Sequence, residues 1–487
     1  MLTAVLRFLG RTAASAVLGV AVVAVGLWLY VLRTGPEPQT WHRARLDREF
    51  TVAQAGEVTT VAAYRELEDR LFDQLRRDVY AKVVPGNIAP FNRYAIGSLS
   101  DPGVWPVNWN RTYEIKPEQP VGGVLLLHGL TDSPYSLRSI GAHLGAKGFQ
   151  VVGLRLPGHG TAPSGLLSFK VEDLEAAVRL AMRDLRAQLG PNRPIYMVGY
   201  SNGAALAVGY ALSILEGQDL PRPAGLVLIS PAIAISPLAI IGRLRTGISD
   251  LPGFGRAAWQ VIESEVDPYK YQSFSFHAAG ETQRLTSNLA RRLEKLAAAG
   301  PIKAFPPVLT FLSTVDSTVK AGAVVHVFLG RLAPAGHELV LFDVNRFAVV
   351  QSLLVADPGP LTQQLLMMPL RPYALSVITN VNPRTRQVKE LRAEPQTGRQ
   401  TVRLLDLEWP AQVFSLSHVA LPFPPDDPLY GYASPDDPSH VQLGRIEVRG
   451  ENGVLRVPGW MLTRQRSNPF HSYVLERIDD FVAPPAP

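Results

Sequence analysis

A serine stands at the apex of a short glycine-flanked turn, Gly199-Tyr200-Ser201-Asn202-Gly203, between two segments of different character. Before it, Ile195-Tyr196-Met197-Val198 is an apolar, β-branched run, bounded upstream by Gly190-Pro191-Asn192-Arg193-Pro194. After it, residues 204–212 read as a buried helix. A strand, a G-x-S-x-G turn and a helix lift the serine hydroxyl above the edge of a sheet. The two glycines admit strained backbone angles and close approach of neighbouring chain. Ser201 is therefore a candidate nucleophile.

Upstream, Val121-Gly122-Gly123-Val124-Leu125-Leu126-Leu127 is an apolar strand that ends at His128-Gly129-Leu130-Thr131-Asp132. Gln150-Val151-Val152-Gly153-Leu154 is a second, leading into Arg155-Leu156-Pro157-Gly158-His159-Gly160. A helix expected over 135–147 joins them as a βαβ unit, which implies a parallel sheet. GVLLLHGLTDSPYSLR, then RLPGHG, then GYSNG resembles the monoglyceride lipase, carboxylesterase and serine aminopeptidase branch of the α/β-hydrolase superfamily, over roughly 122–319. The resemblance implies an α/β-hydrolase fold with a mostly parallel central sheet flanked by helices. It also implies an oxyanion hole made by the backbone N–H groups of Leu130 and Asn202. His128 is expected to brace the loop.

The order of a triad in this fold is serine, acid, histidine. Beyond the strand 224–229, Pro306-Pro307-Val308-Leu309-Thr310-Phe311-Leu312-Ser313 is another, and Asp316 follows it. A carboxylate there sits at the sheet edge where such folds bind ligands. Asp343, after 339–342, is its rival, with a surface or capping role expected. Five histidines follow Asp316. His326 reads as a core residue, His337 lies at the wrong end of a strand, and His440 lies in a Pro/Asp-rich loop. His418 ends the strand-like run 412–417 and is the expected base; His471, opening a terminal helix, is the alternative. Asp316 and His418 stand 102 residues apart, far more than the resemblance suggests. A β-rich insertion, about 344–410, is expected between them, with strands near 373–379, 386–391 and 400–406.

A trio of this kind implies a serine hydrolase acting on an acyl ester, such as a monoacylglycerol or lysophospholipid, with thioester and amide cleavage open to the same residues. A hydrolase-fold binding protein with a silent site is the reading of another class. No metal or organic cofactor is called for, and no Gly-rich phosphate loop or zinc-type ligand spacing occurs. The formal net charge of +6 comes from scattered arginines without a basic tract, which argues against nucleic-acid binding. With no cysteine, there is no disulfide framework.

Residues 13–32 carry no charge. At 1.5 Å per residue they reach about 30 Å, enough for a bilayer core. Arg7 and Arg11 precede the run, and Trp28 and Tyr30 stand near its far end. An uncleaved single-pass membrane anchor is expected, with the hydrolase domain on the periplasmic side of a bacterial inner membrane. The expected organisation is a short segment 1–12, the anchor 13–32, an extension 33–118 with a helix over 53–80, and a hydrolase domain 119–487. That domain carries a cap at about 237–301.

Overall fold

The apolar runs that precede the glycine-rich turns become strands of one sheet. The computed structural model describes residues 12, 15–26, 29, 36–83, 91–233, 255–347, 357–368, 370–445 and 464–483. Its strands are β1 (Tyr113–Ile115), β2 (Gly122–Leu127), β3 (Phe149–Leu154), β4 (Ile195–Tyr200), β5 (Gly225–Ile229), β6 (Trp259–Val261), β7 (Phe274–Ser275), β8 (Val308–Ser313), β9 (His337–Phe342), β10 (Tyr373–Asn380), β11 (Gln387–Ala393) and β12 (Gln400–Glu408). Ten of them form a sheet in the order β1-β3-β2-β4-β5-β8-β9-β10-β11-β12. From β3 to β10 every pairing is parallel, while β1 at one edge and β11 and β12 at the other are antiparallel.

The parallel strands are apolar along their length because helices cover both faces. The helices are α1 (Val61–Asp78), α2 (Arg138–Ala146), α3 (Val171–Leu189), α4 (Asn202–Leu215), α5 (Phe276–Ala297), α6 (Gly359–Met367) and α7 (His471–Val482). The two-residue period of β2 sends Leu125 and Leu127 into a core shared with α3, α4 and α5. It sends Val124 and Leu126 into a second core with α2 and α7.

The extension 33–118 is docked on this framework. Its helix α1 starts at Val61, later than expected, because the Thr60 hydroxyl caps it by accepting from Ala63 N at 3.1 Å. Arg155, fully buried at the end of β3, binds Glu68 of α1 through Nε (2.9 Å) and Glu49 through Nη1 and Nη2 (2.9 and 2.8 Å). The end of β3 is thereby locked to the extension.

Of the expected cap, residues 237–254 lie outside the described residues; 255–301 hold the β6–β7 ribbon and α5, which buries Leu285, Leu289 and Leu293 against the core. The strands expected near 373–406 occur as β10, β11 and β12, and they continue the main sheet rather than forming a separate hairpin.

Of the run 13–32, expected to span a membrane, the described residues 15–26 and 29 are helical. Among the described residues no helix is long and apolar enough to cross a membrane. Residues 13, 14, 27, 28 and 30–32 lie outside them.

Candidate active site

β4 ends in a turn that no ordinary residue pair could make. Ser201 has φ 53° and ψ −112°, a left-handed conformation held because its neighbours leave no alternative. A Cβ on Gly203 would lie 2.0 Å from the Leu127 carbonyl oxygen, and one on Gly199 would lie 2.5 Å from Ala204 Cα. Both flanking glycines are thus required by close backbone approach between β2, β4 and α4.

The three side chains expected to act together do meet. His418 Nδ1–H donates to Asp316 Oδ2 at 2.8 Å, and the Ser201 hydroxyl donates to His418 Nε2 at 3.0 Å. A carboxylate accepts only, so it fixes the proton on Nδ1 and leaves Nε2 free to accept. Asp316 follows β8 in a turn whose Thr318 and Val319 N–H groups donate to Oδ1 at 2.8 and 2.9 Å. Burial pushes this carboxyl up, but the hydrogen bond and charge of His418 and the two backbone donors outweigh it. The net result lies below the ordinary aspartate value.

His418 does not end a strand. Residues 412–417 form an extended loop after β12, held by Asn345 rather than by a ladder. Asn345 N donates to the Phe414 carbonyl at 2.7 Å, and Asn345 Nδ2 to the Val413 carbonyl at 3.0 Å. Tyr200 steadies the histidine itself, its ring 5.4 Å from the imidazole and its hydroxyl donating to the His418 carbonyl at 3.4 Å.

The backbone N–H groups of Leu130 and Asn202 have no hydrogen-bond acceptor among the described residues. Asn202 is the first residue of α4, so its N–H points out of the helix start with the dipole behind it. The loop carrying Leu130 is braced by His128. That ring accepts from Leu156 N at 3.0 Å through Nε2 and donates to the Gly129 carbonyl at 2.8 Å through Nδ1. Burial, then the neighbouring His159, holds His128 well below the ordinary histidine value, so it is neutral.

The remaining candidates lie elsewhere. His471 is buried at the start of α7, and burial lowers it to about 4. His326, expected in the core, is exposed, because the helical turns over 321–328 bury Val324, Val325 and Phe328 instead. His337 is buried as the first residue of β9, and His440 packs its ring 4.0 Å from that of Trp105. Asp343 is buried rather than on the surface, accepting from Arg346 and from the Thr379 hydroxyl. The Pro/Asp-rich stretch near 422–438 is no loose surface loop either. Its Asp427 takes hydrogen bonds from Arg138 and the Tyr135 hydroxyl, both at 2.8 Å, and Leu429 is fully buried. Among the described residues no group of histidines and carboxylates could hold a metal ion.

A family model described as serine aminopeptidase, S33, matches residues 118–343. The thermostable monoacylglycerol lipase of Bacillus sp. (strain H-257) is 25% identical over 209 residues, covering 43% of this chain and 76% of its own. Among solved structures, a soluble variant of monoglyceride lipase from Saccharomyces cerevisiae covers 48% of this chain and 82% of its own, at 19% identity and TM-score 0.36. The monoacylglycerol lipase of Paleococcus ferrophilus covers 48% and 88%, at 20% identity and TM-score 0.36. The match over residues 118–343, the parallel sheet and the strand–GYSNG–helix turn together give this chain an α/β-hydrolase fold.

Proposed function

We propose that the protein is a serine-dependent carboxylic ester hydrolase. The observation that carries the reading is the continuous hydrogen-bonded line from Ser201 Oγ through His418 to Asp316, at 3.0 and 2.8 Å, at the C-terminal edge of β4 and β8. In this reading Ser201 Oγ attacks the ester carbonyl while His418 Nε2 takes its proton. Asp316 holds the tautomer and stabilises the imidazolium. The N–H groups of Leu130 and Asn202 receive the oxyanion, each contributing roughly 3 kcal/mol in the transition state. His418 then returns the proton to the departing alcohol, and water, activated by the same imidazole, frees the acyl group from Ser201.

The lipase relative supports, as substrate class, a single-chain acyl ester of a small alcohol, such as a monoacylglycerol or lysophospholipid. The test is labelling by a fluorophosphonate, followed by turnover of p-nitrophenyl esters of rising chain length against a matched p-nitroanilide. Ser201→Ala should abolish labelling and lower kcat by on the order of 10⁶. Undiminished turnover by that variant would end the reading, and preference for the anilide would move it to amide cleavage.

A further inference from the structure

Two clefts beside the Ser201–His418–Asp316 line share one wall residue. The larger, about 480 Å³, is lined by His418 and Arg464. The smaller, about 60 Å³, is lined by Tyr200 and Val419, the sequence neighbours of Ser201 and His418, and by Lys270, Arg464 and Arg466. That volume is room for a few waters, and so for a carboxylate or phosphate group.

The charges in the smaller cleft do not cancel. Its two carboxylates, Asp132 and Asp267, are already engaged. Asp132 is paired with Lys270 Nζ at 2.7 Å. Asp267 accepts from the Tyr430 hydroxyl at 2.5 Å and from the N–H groups of Tyr269 and Lys270 at 2.9 and 3.0 Å. By contrast, no hydrogen bond or ion pair joins the guanidinium of Arg464 or Arg466 to a described residue, although both side chains are partly buried. Partly desolvated guanidinium groups gain most from an ionised partner, and their planar forks match carboxylate and phosphate oxygens two at a time.

We propose that this cleft is an anion subsite, in which Arg464 and Arg466 hold a carboxylate or phosphate carried by the ester substrate. The proposal rests on the serine hydrolase reading and narrows its substrate class to esters bearing a negative charge near the scissile bond.

The test measures kcat/KM of the full chain on two matched pairs. One pair, p-nitrophenyl butyrate and mono-p-nitrophenyl glutarate, places the charge on the acyl side. The other, 1-oleoylglycerol and 1-oleoylglycerol 3-phosphate, places it on the alcohol side. In one pair the charged ester should be preferred by about tenfold or more, which also identifies where the charge resides. Arg464→Gln with Arg466→Gln should reduce that ratio by about 10- to 100-fold, and the paired lysine substitutions should restore part of it, keeping charge without the fork. If the glutamine pair does not fold, the wild-type protein still decides: inorganic phosphate should compete with the charged ester of the preferred pair more strongly than with its neutral partner. A ratio at or below one in both pairs, with fluorophosphonate labelling intact, overturns the subsite and leaves the hydrolase standing. A preference that survives both glutamine substitutions, or wild-type protein indifferent to inorganic phosphate, also overturns it. Loss of labelling and of all hydrolysis in the wild type overturns both.

Discussion

His418 and His471 separate cleanly at the level of single side chains. The imidazole of His418 is bonded at both nitrogens, to Asp316 and to Ser201, whereas His471 is buried with its Nε2 unpartnered. His418→Ala should therefore lower kcat by about 10⁴-fold or more with little change in melting temperature. His471→Ala should keep kcat within about tenfold and destabilise the fold by about 1–3 kcal/mol, the range for a lost buried side chain. Asp316→Asn should also lower kcat by about 10⁴-fold, since an amide cannot enforce the Nδ1–H tautomer. Kinetics and thermal melts of the three variants check this; a His471→Ala enzyme slower than His418→Ala would contradict it. These residues were legible in the chain because the chemistry at each is local. Ser201 sits in a turn whose two glycines are demanded by backbone contact, and Asp316 sits in a turn that supplies its own N–H donors. The pair Arg464 and Arg466 was not legible, because nothing nearby in sequence places them beside Tyr200 and Val419.

At the level of elements, the least exposed ion-pair network joins two parts of the chain that periodicity treats separately. Glu68 of α1 is 1% exposed, and its carboxylate takes the Arg155 Nε, the Thr112 N–H and the Thr112 hydroxyl. Burial raises the Glu68 carboxyl, and Arg155 opposes the rise. Removing Arg155 leaves the buried Glu68 carboxylate without its counter-ion, whereas removing Glu68 leaves Arg155 paired with Glu49. Arg155→Met should therefore destabilise the protein by about 3–5 kcal/mol, and Arg155→Met with Glu68→Gln by less. Urea unfolding of both variants checks the ranking; a double variant weaker than the single one would show that the network stabilises beyond its desolvation cost. Elements with a clean pattern were readable: the apolar runs of β2 and β4, and the alternating strands β10 to β12. The boundaries that failed are those set by partners distant in sequence. The 412–417 run has the composition of a strand, yet Asn345 takes its carbonyls and no ladder forms.

Across the whole molecule, burial of histidines makes the fold sensitive to mild acid. His42 is lowered to about 3, His159, His337 and His471 to about 4, and His128 well below its ordinary value, in each case with burial the largest cause. Each is neutral when folded, while in the unfolded chain each takes up a proton near pH 6.5. Below that pH the unfolded state binds more protons than the folded state, so stability falls as pH falls. Between pH 7.5 and 6.0 the five together should remove on the order of 3 kcal/mol, at up to about 1.4 kcal/mol per histidine per pH unit. Buried carboxyls act in the opposite sense: Glu265, raised to about 6 by burial, holds its proton in the folded state and offsets one histidine between about pH 6 and 4.5. The net loss therefore steepens as pH falls through 6.5, because the unfolded histidines approach full protonation while Glu265 offsets less than one of the five. Melting curves at pH 7.5, 7.0, 6.5 and 6.0 should show the midpoint falling by several degrees, and His471→Phe should make that fall shallower. A midpoint that rises on acidification over this window would mean the buried imidazoles are charged in the fold, against the environment in which the structure holds them.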